Sequence, residues 1–84
     1  MRSFFYTIKT PILHTRHAGL LVQEAKRYQS DITLTKGEKR VNAKGILAVL
    51  GLGVRKGDLI EVTVEGADEA IAEPKIRNYL WANF

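Results

Sequence analysis

Two histidines and an arginine lie together near the beginning of the chain, in the order His14, Thr15, Arg16, His17. A neutral imidazole nitrogen can attack phosphorus, and arginine can donate charge-assisted hydrogen bonds to phosphoryl oxygens. The residues after His14 have helical periodicity, and a helix start offers unpaired N–H groups and a positive dipole end that favour a phosphate. The pattern is compatible with phosphate chemistry at His14. From these residues alone, however, the favoured interpretation is that His14 or Thr15 only caps the helix and Arg16 is a solvated helix residue.

Other reactive constellations are missing from the sequence. Cysteine is absent, which excludes a disulfide scaffold, a thiolate metal site and a cysteine nucleophile. Two imidazoles without a third ligand make a weak metal site, so we expect no metal. No Ser-His-Asp order, nucleophile elbow or Gly-rich phosphate loop is present, so we expect neither a cofactor nor a stand-alone enzyme with its own substrate cleft.

Length and composition predict one globular domain over residues 1–84. Hydrophobic residues make up 45% and charged residues 26%, which is ordinary for such a domain. No apolar run approaches the ~18 residues of a membrane span, and the N-terminal stretch is too polar for a signal peptide, so we expect a cytoplasmic protein without membrane insertion. The net charge of +4 favours nucleic acid, acidic proteins or phosphorylated groups as partners.

The elements that must hold these residues follow from the hydrophobic period. Alternation predicts strands, and spacing of three or four predicts helices. The predicted order βαββαβα has strands at 3–9, 31–36, 39–42 and 59–65, helices at 15–28 and around 46–52, and a last helix whose regular part begins near Pro74. This order predicts an α+β fold, a two-layer open-faced β-sandwich in which three helices cover one face of a four-stranded antiparallel sheet.

Several short motifs resemble HPr, the histidine-containing phosphocarrier family of the bacterial phosphotransferase system. Residues 14–18, His-Thr-Arg-His-Ala, are similar to the family's active-site motif His-Ala-Arg-Pro-Ala. The resemblance runs without gaps over roughly residues 3–72. Its further matches are Leu21-Val22-Gln23-Glu24-Ala25, Val41-Asn42-Ala43-Lys44, Leu52-Gly53-Val54 with Lys56-Gly57, and Gly66-Ala67-Asp68-Glu69.

The resemblance implies a phosphoryl relay by a carrier protein that is monomeric. His14 would take the phosphoryl group on Nδ1 from phosphorylated enzyme I and pass it to a histidine of an EIIA domain. Arg16, with Thr15 and His17, would bind the phosphoryl group. The family's exposed apolar docking positions correspond to Ile46, Leu47 and Leu50, with a basic rim supplied by Lys26, Arg27, Lys44, Arg55 and Lys56.

Three departures from the family keep a second interpretation open. His17 stands where the family has proline, Ile12 replaces a common glycine, and Gly45 replaces a regulatory serine, which precludes kinase-dependent phosphorylation at that position. The second interpretation is an HPr-like regulatory or interaction protein with weak or no relay activity. A third is a nucleic-acid binder that stacks bases on Phe4, Phe5 and Tyr6; it is disfavoured because alternation turns Phe4 and Tyr6 toward the core.

Overall fold

The predicted element order is confirmed. The structure is a computed structural model, and it describes residues 1–11 and 15–84. The strands are β1 (Arg2–Thr7), β2 (Asp31–Lys36), β3 (Lys39–Asn42) and β4 (Leu59–Glu65), and the helices are α1 (Thr15–Ala25), α2 (Ile46–Gly51) and α3 (Glu69–Asn83).

The four strands form one antiparallel sheet in the order β1-β4-β2-β3, which leaves β1 and β3 at its edges. Alternate side chains of each strand point to the helices and form the core with the apolar stripes of α1 and α3. The opposite face is open and carries polar side chains, among them Ser3, Thr35, Glu61 and Thr63. The fold is therefore the expected open-faced sandwich.

Two connections between elements require a glycine, one for its backbone conformation and one for its lack of a side chain. The β2–β3 hairpin closes through a two-residue turn in which Gly37 has a φ of 59°, a conformation that suits glycine. At the other end of the molecule, a Cβ on Gly66 would lie 2.6 Å from the Cα of Ser30. At that end, Asp68 joins the α1–β2 and β4–α3 connections, because its carboxylate accepts hydrogen bonds from the Gln29 and Ser30 amides at 2.8 and 2.9 Å and from the Ser30 hydroxyl.

The prediction that the regular part of the last helix begins near Pro74 was wrong. Helix α3 starts at Glu69 and runs through Pro74 to Asn83. The proline lies in the second turn, so it removes only the hydrogen bond that its missing N–H would have made to Ala70. Burial of Ala72, Ile76 and Leu80 against the sheet offsets that loss.

Two element ends also differ from the prediction. β1 ends at Thr7 rather than at residue 9: the Ile8 amide still bonds to the opposite Asp58 carbonyl at 2.9 Å, but the Lys9 and Thr10 amides donate to the Phe84 carbonyl instead of to β4. α1 ends at Ala25 rather than at Tyr28, where the amide of Tyr28 turns back to the Ala25 carbonyl at 3.3 Å. Tyr28 still packs against the core, as its helical spacing predicted.

Candidate functional site

The first turn of α1 presents the motif that suggested phosphate chemistry. α1 begins at Thr15, directly after His14; His14 and Ile12 lie outside the described residues. Thr15 and Arg16 are exposed, and the first turn contains no acidic residue. The N–H groups of a first turn lack intrahelical acceptors, so this helix end is electropositive and favours an anion.

The ring of His17 packs against Phe84 rather than projecting fully into solvent. The two rings meet edge to face with centroids 5.8 Å apart, and His17 is half-buried while Phe84 is buried. The main-chain oxygen of Phe84 accepts hydrogen bonds from the Thr10 amide at 2.9 Å and the Thr10 hydroxyl at 3.2 Å. The residue after α3 thus braces both the start of α1 and the segment before it. Sequence reasoning missed this role, for which the aromatic tail was the available signal.

The loop between α2 and β4 lies against the segment that leads into α1. The Gly57 amide donates to the Ile8 carbonyl at 2.8 Å, the Ile8 amide donates to the Asp58 carbonyl at 2.9 Å, and the Lys56 amide lies 3.5 Å from the Pro11 carbonyl. These main-chain contacts hold the loop and the segment side by side. They place the basic pair of Arg55 and Lys56, both exposed, beside the residues that end at Pro11.

Asp58 organises this loop electrostatically. Its carboxylate lies 2.9 Å from the Lys36 ammonium and accepts the Arg55 amide at 2.9 Å. The hydrogen bond from Lys36, followed by that from the Arg55 backbone, lowers the pKa of the Asp58 carboxyl below its ordinary value. Lys36 also donates to the Gly53 carbonyl at 3.0 Å, so one lysine ties both ends of the loop to β2.

The apolar residues of α2 divide between the surface and the core. Leu47 is 81% exposed and Ile46 is 38% exposed, whereas Leu50 is half-buried and packs on the core. Val49 is buried, as expected for a core residue. Of the three predicted docking residues, Leu47 is therefore fully available to a partner, Ile46 partly so, and Leu50 least.

This apolar surface continues onto α1. The Ile46 side chain reaches within 3.5 Å of where a Cβ would lie on Gly19, and the next residue, Leu20, is an exposed leucine. Leu20 was missed by sequence reasoning. The signal was present, since Leu20 falls outside the buried stripe of α1. We call Leu20, Ile46 and Leu47 the α1–α2 patch.

The basic residues predicted to rim this patch have different surroundings. Lys26 and Arg27 are exposed just after α1, and Arg27 pairs with Glu24 at 3.2 Å. Lys44 is half-buried and donates to the Tyr28 carbonyl at 2.9 Å, which ties it to the fold. Gly45 caps α2 without a side-chain hydrogen bond, as expected for a residue that has no hydroxyl.

The described residues offer neither a cluster of metal ligands nor a membrane-spanning helix. Within residues 1–11 and 15–84, no three His, Asp or Glu side chains gather as metal ligands would, and the metal-free site remains a prediction. No helix in this part of the chain has the length and apolar character needed to cross a membrane. Of the three aromatic residues of β1, Tyr6 is buried, Phe4 is half-buried and only Phe5 is exposed, so they do not form a stacking platform.

Comparison with known proteins points to one family. The family model described as the PTS HPr component phosphorylation site matches residues 5–81. The HPr-like protein Crh of Bacillus subtilis is 41% identical over 68 residues, which cover 81% of this chain and 80% of Crh. The phosphocarrier protein HPr of Buchnera aphidicola is 38% identical over 68 residues, which cover 81% of this chain and 80% of that protein.

A solved structure agrees with the sequence relatives. The crystal structure of HPr-C-His from Thermoanaerobacter tengcongensis superposes with a TM-score of 0.92 at 35% identity, covering 100% of this chain and 96% of the other. The similarity therefore extends over the whole sandwich, including α3 with its internal proline.

Proposed function

Because the chain belongs to the HPr family of phosphocarrier proteins of the phosphotransferase system, we propose that it carries its phosphoryl group on the imidazole of His14. The observation that carries the proposal is the start of α1 at Thr15, directly after His14, with exposed Arg16 in a first turn without acidic residues. Arg16 donates hydrogen bonds to the phosphoryl oxygens, and the amides of Thr15, Arg16 and His17 add the partial charge of the helix end.

The transfer itself needs little from this chain beyond the nucleophile and its setting. The lone pair of Nδ1 of His14 attacks phosphorus as the bond to the donor on enzyme I breaks, and the ring keeps its proton on the other nitrogen. In the onward step a histidine of an EIIA domain attacks, and the P–N bond at His14 breaks as a new P–N bond forms. The bond broken and the bond formed are alike, so the step is reversible and depends on positioning.

The partners are enzyme I and EIIA-type proteins, and the α1–α2 patch is their docking surface. An exposed apolar patch rimmed by charge is typical of a transient interface. Leu47, the most exposed of its residues, is the strongest candidate for an energetic anchor, and Lys26 with Arg27 supplies the basic rim that would steer acidic partners. Leu50, packed on the core, supports α2 from beneath.

A second candidate function is regulation by protein binding with weak or no relay. It is favoured by the similarity to a relative named as the HPr-like protein Crh, and by the departures at His17 and Gly45. In this case the docking surface would retain its role while His14 would accept phosphate poorly.

Membership of the HPr family also suggests the domain organisation, oligomeric state and location of the protein. We infer that residues 1–84 act as one HPr-like domain, monomeric and in the cytoplasm, where its phosphoryl donor and acceptors would meet it. Sedimentation equilibrium tests the monomer: a mass near 9.4 kDa at all loading concentrations supports it, and a concentration-dependent doubling contradicts it.

A phosphorylation assay tests the relay. The protein is incubated with phosphoenolpyruvate, magnesium and enzyme I of a phosphotransferase system, and acid-labile, base-stable phosphate is measured. We expect label on the unchanged protein and on His17→Ala, and none on His14→Ala. Label retained by His14→Ala overturns the site assignment, whereas an unlabelled but folded wild-type protein that still binds an EIIA domain supports the second candidate.

A further inference from the structure

A groove that the relay does not use lies between the free edge of β1 and the end of α3. Its walls are Phe5, Tyr6, Thr7, Lys9 and Trp81. Three consecutive strand residues line it although their side chains alternate between the two faces, so the groove must follow the edge of the strand. β1 is an outer strand of the sheet, and in the described part of the chain its outward backbone groups have no ladder partner.

Two aromatic walls of this β1-edge groove are exposed, and one of them, Trp81, packs on the buried ring of Tyr6. Phe5 is 67% and Trp81 63% exposed. The rings of Tyr6 and Trp81 meet edge to face with centroids 6.2 Å apart, and the Tyr6 hydroxyl is held by the Leu80 carbonyl at 2.9 Å. A preoriented aromatic ring loses little side-chain entropy when a ligand binds, so Trp81 is suited to binding.

A cation stands at one end of the groove. The Lys9 ammonium lies 4.3 Å from the centroid of the Trp81 ring and 3.4 Å from the Trp81 main-chain oxygen. Among residues 1–11 and 15–84, no carboxylate comes within 4.0 Å of it. The cation is therefore positioned but not neutralised, and it is complementary to a carboxylate on a ligand.

Charge also decides against a second copy of this chain as the occupant. Antiparallel pairing of two β1 strands about a twofold axis brings the Lys9 end of each strand beside the Arg2 end of the other. Cations would then face cations at both ends of the pair, in proteins that each carry a net charge of +4.

We propose that the β1-edge groove binds an extended acidic peptide segment of a partner protein as an added strand. The peptide backbone pairs with β1, an apolar side chain lies between Phe5 and Trp81, and a carboxylate meets Lys9. The groove residues belong to β1, α3 and the residues just after β1, not to the α1–α2 patch. The proposal therefore stands independently of His14 and of the relay.

The chain provides its own probe for the test, because Trp81 is its only tryptophan. The protein is titrated with an end-blocked peptide of alternating glutamate and valine with one central phenylalanine. Trp81 fluorescence and the amide NMR shifts of residues 2–9 are followed. We expect a saturable change in both. A matched peptide with lysine for glutamate, and another with a central proline that removes a backbone donor, are expected to bind at least about fivefold more weakly.

Two variants separate this groove from the rest of the surface. Lys9→Gln is expected to weaken binding of the acidic peptide about fivefold while the thermal unfolding midpoint stays close to wild type. Leu47→Ser, in the α1–α2 patch, serves as the control and leaves peptide binding unchanged. No saturable signal up to about 1 mM acidic peptide, equal binding of the lysine peptide, or shifts confined to α1 and α2 would each overturn the proposal. If the protein dimerises and Phe5→Ser abolishes the dimer, the proposal is also overturned, because the groove would then bind a second copy of the chain.

Discussion

At the scale of single residues, the chemistry of the site depends on neighbours that lie far away in sequence. His17, which replaces the family's proline, does not stand alone at the helix start but packs edge to face on Phe84. Phe84 in turn anchors Thr10, the residue that comes before Pro11 on the way to His14. We infer that the imidazole at position 17 takes over, through packing, part of the positioning that proline provides through its rigid ring.

A double-mutant cycle tests the coupling of His17 and Phe84. Edge-to-face aromatic pairs contribute about 0.5–1.5 kcal/mol beyond the area that they bury, so a coupling free energy of about 1 kcal/mol is expected. The free energy of urea unfolding is measured for His17→Ala, Phe84→Ala and the double variant. Strict additivity of the two single losses would show that the rings contact each other without stabilising the fold.

At the scale of elements, Pro74 is a helix residue that costs stability. Pro74 has no backbone N–H, so the Ala70 carbonyl lacks its usual helical hydrogen-bond donor. Helix α3 continues past Pro74 only because its inner face is buried. Pro74→Ala is expected to raise the free energy of unfolding by about 1–2 kcal/mol. The gain in helix propensity is about 3 kcal/mol, and it is reduced because proline also restricts the unfolded chain.

Urea unfolding with a neighbouring control checks this prediction. Lys75→Ala changes the next residue, which is also exposed, and is expected to alter stability by less than about 0.5 kcal/mol. A Pro74→Ala variant no more stable than the Lys75→Ala control would mean that the proline does not disturb α3.

Asp68 links the α1–β2 and β4–α3 connections and makes the stability of the fold depend on pH. The Ser30 hydroxyl, followed by the Gln29 amide, lowers the pKa of the Asp68 carboxyl below its ordinary value. A carboxyl whose pKa is lower in the folded state stabilises the fold above its unfolded pKa of about 3.9. That contribution is lost as the pH falls through the folded-state pKa.

Unfolding curves between neutral pH and about pH 2 test the role of Asp68. The stability difference between the wild type and Asp68→Ala is expected to be constant above about pH 5 and to shrink as the carboxylate is protonated. Ser30→Ala removes the largest cause of the lowered pKa, so the fall in its stability, which begins near the same unfolded-state pKa, is expected to be smaller and to level off at higher pH than in the wild type. Parallel curves for all three proteins would contradict the account.

Element types could be predicted from the sequence because each strand and helix carries its own hydrophobic period. All seven elements and the buried faces of α1, β4 and α3 follow from that local signal. The sequence could not predict where β1 and α1 end or that α3 continues through Pro74, because these features depend on contacts made after folding. For the same reason, the sequence indicated the motif at His14 but neither the packing of His17 on Phe84 nor the groove beside Lys9.

At the scale of the whole molecule, the two proposed docking surfaces lie on different parts of the fold. The α1–α2 patch adjoins the helix start that follows His14, and the β1-edge groove lies along the outer strand of the sheet. The net charge of +4 favours acidic partners at both surfaces and should make encounter sensitive to salt, because exposed charges are screened within about 8 Å at physiological ionic strength.

Leu47→Ser tests the docking surface at this scale. Loss of an exposed apolar anchor is expected to slow phosphoryl transfer from enzyme I about tenfold at limiting concentrations, with unfolding free energy changed by less than about 0.5 kcal/mol. Ile71→Ser is the matched control, since Ile71 is an exposed apolar residue on α3. Equal slowing in both variants would show that the α1–α2 patch is not the docking surface for enzyme I.

Nitrogen-15 NMR of the two histidine rings, recorded before and after phosphorylation by enzyme I, shows which nitrogen carries the phosphoryl group. We expect Nδ1 of His14 to change its shift and to couple to phosphorus, while both nitrogens of His17 keep their tautomeric pattern. Phosphorus coupling to a nitrogen of His17, or a phosphorylated protein in which neither ring is coupled, would contradict this expectation.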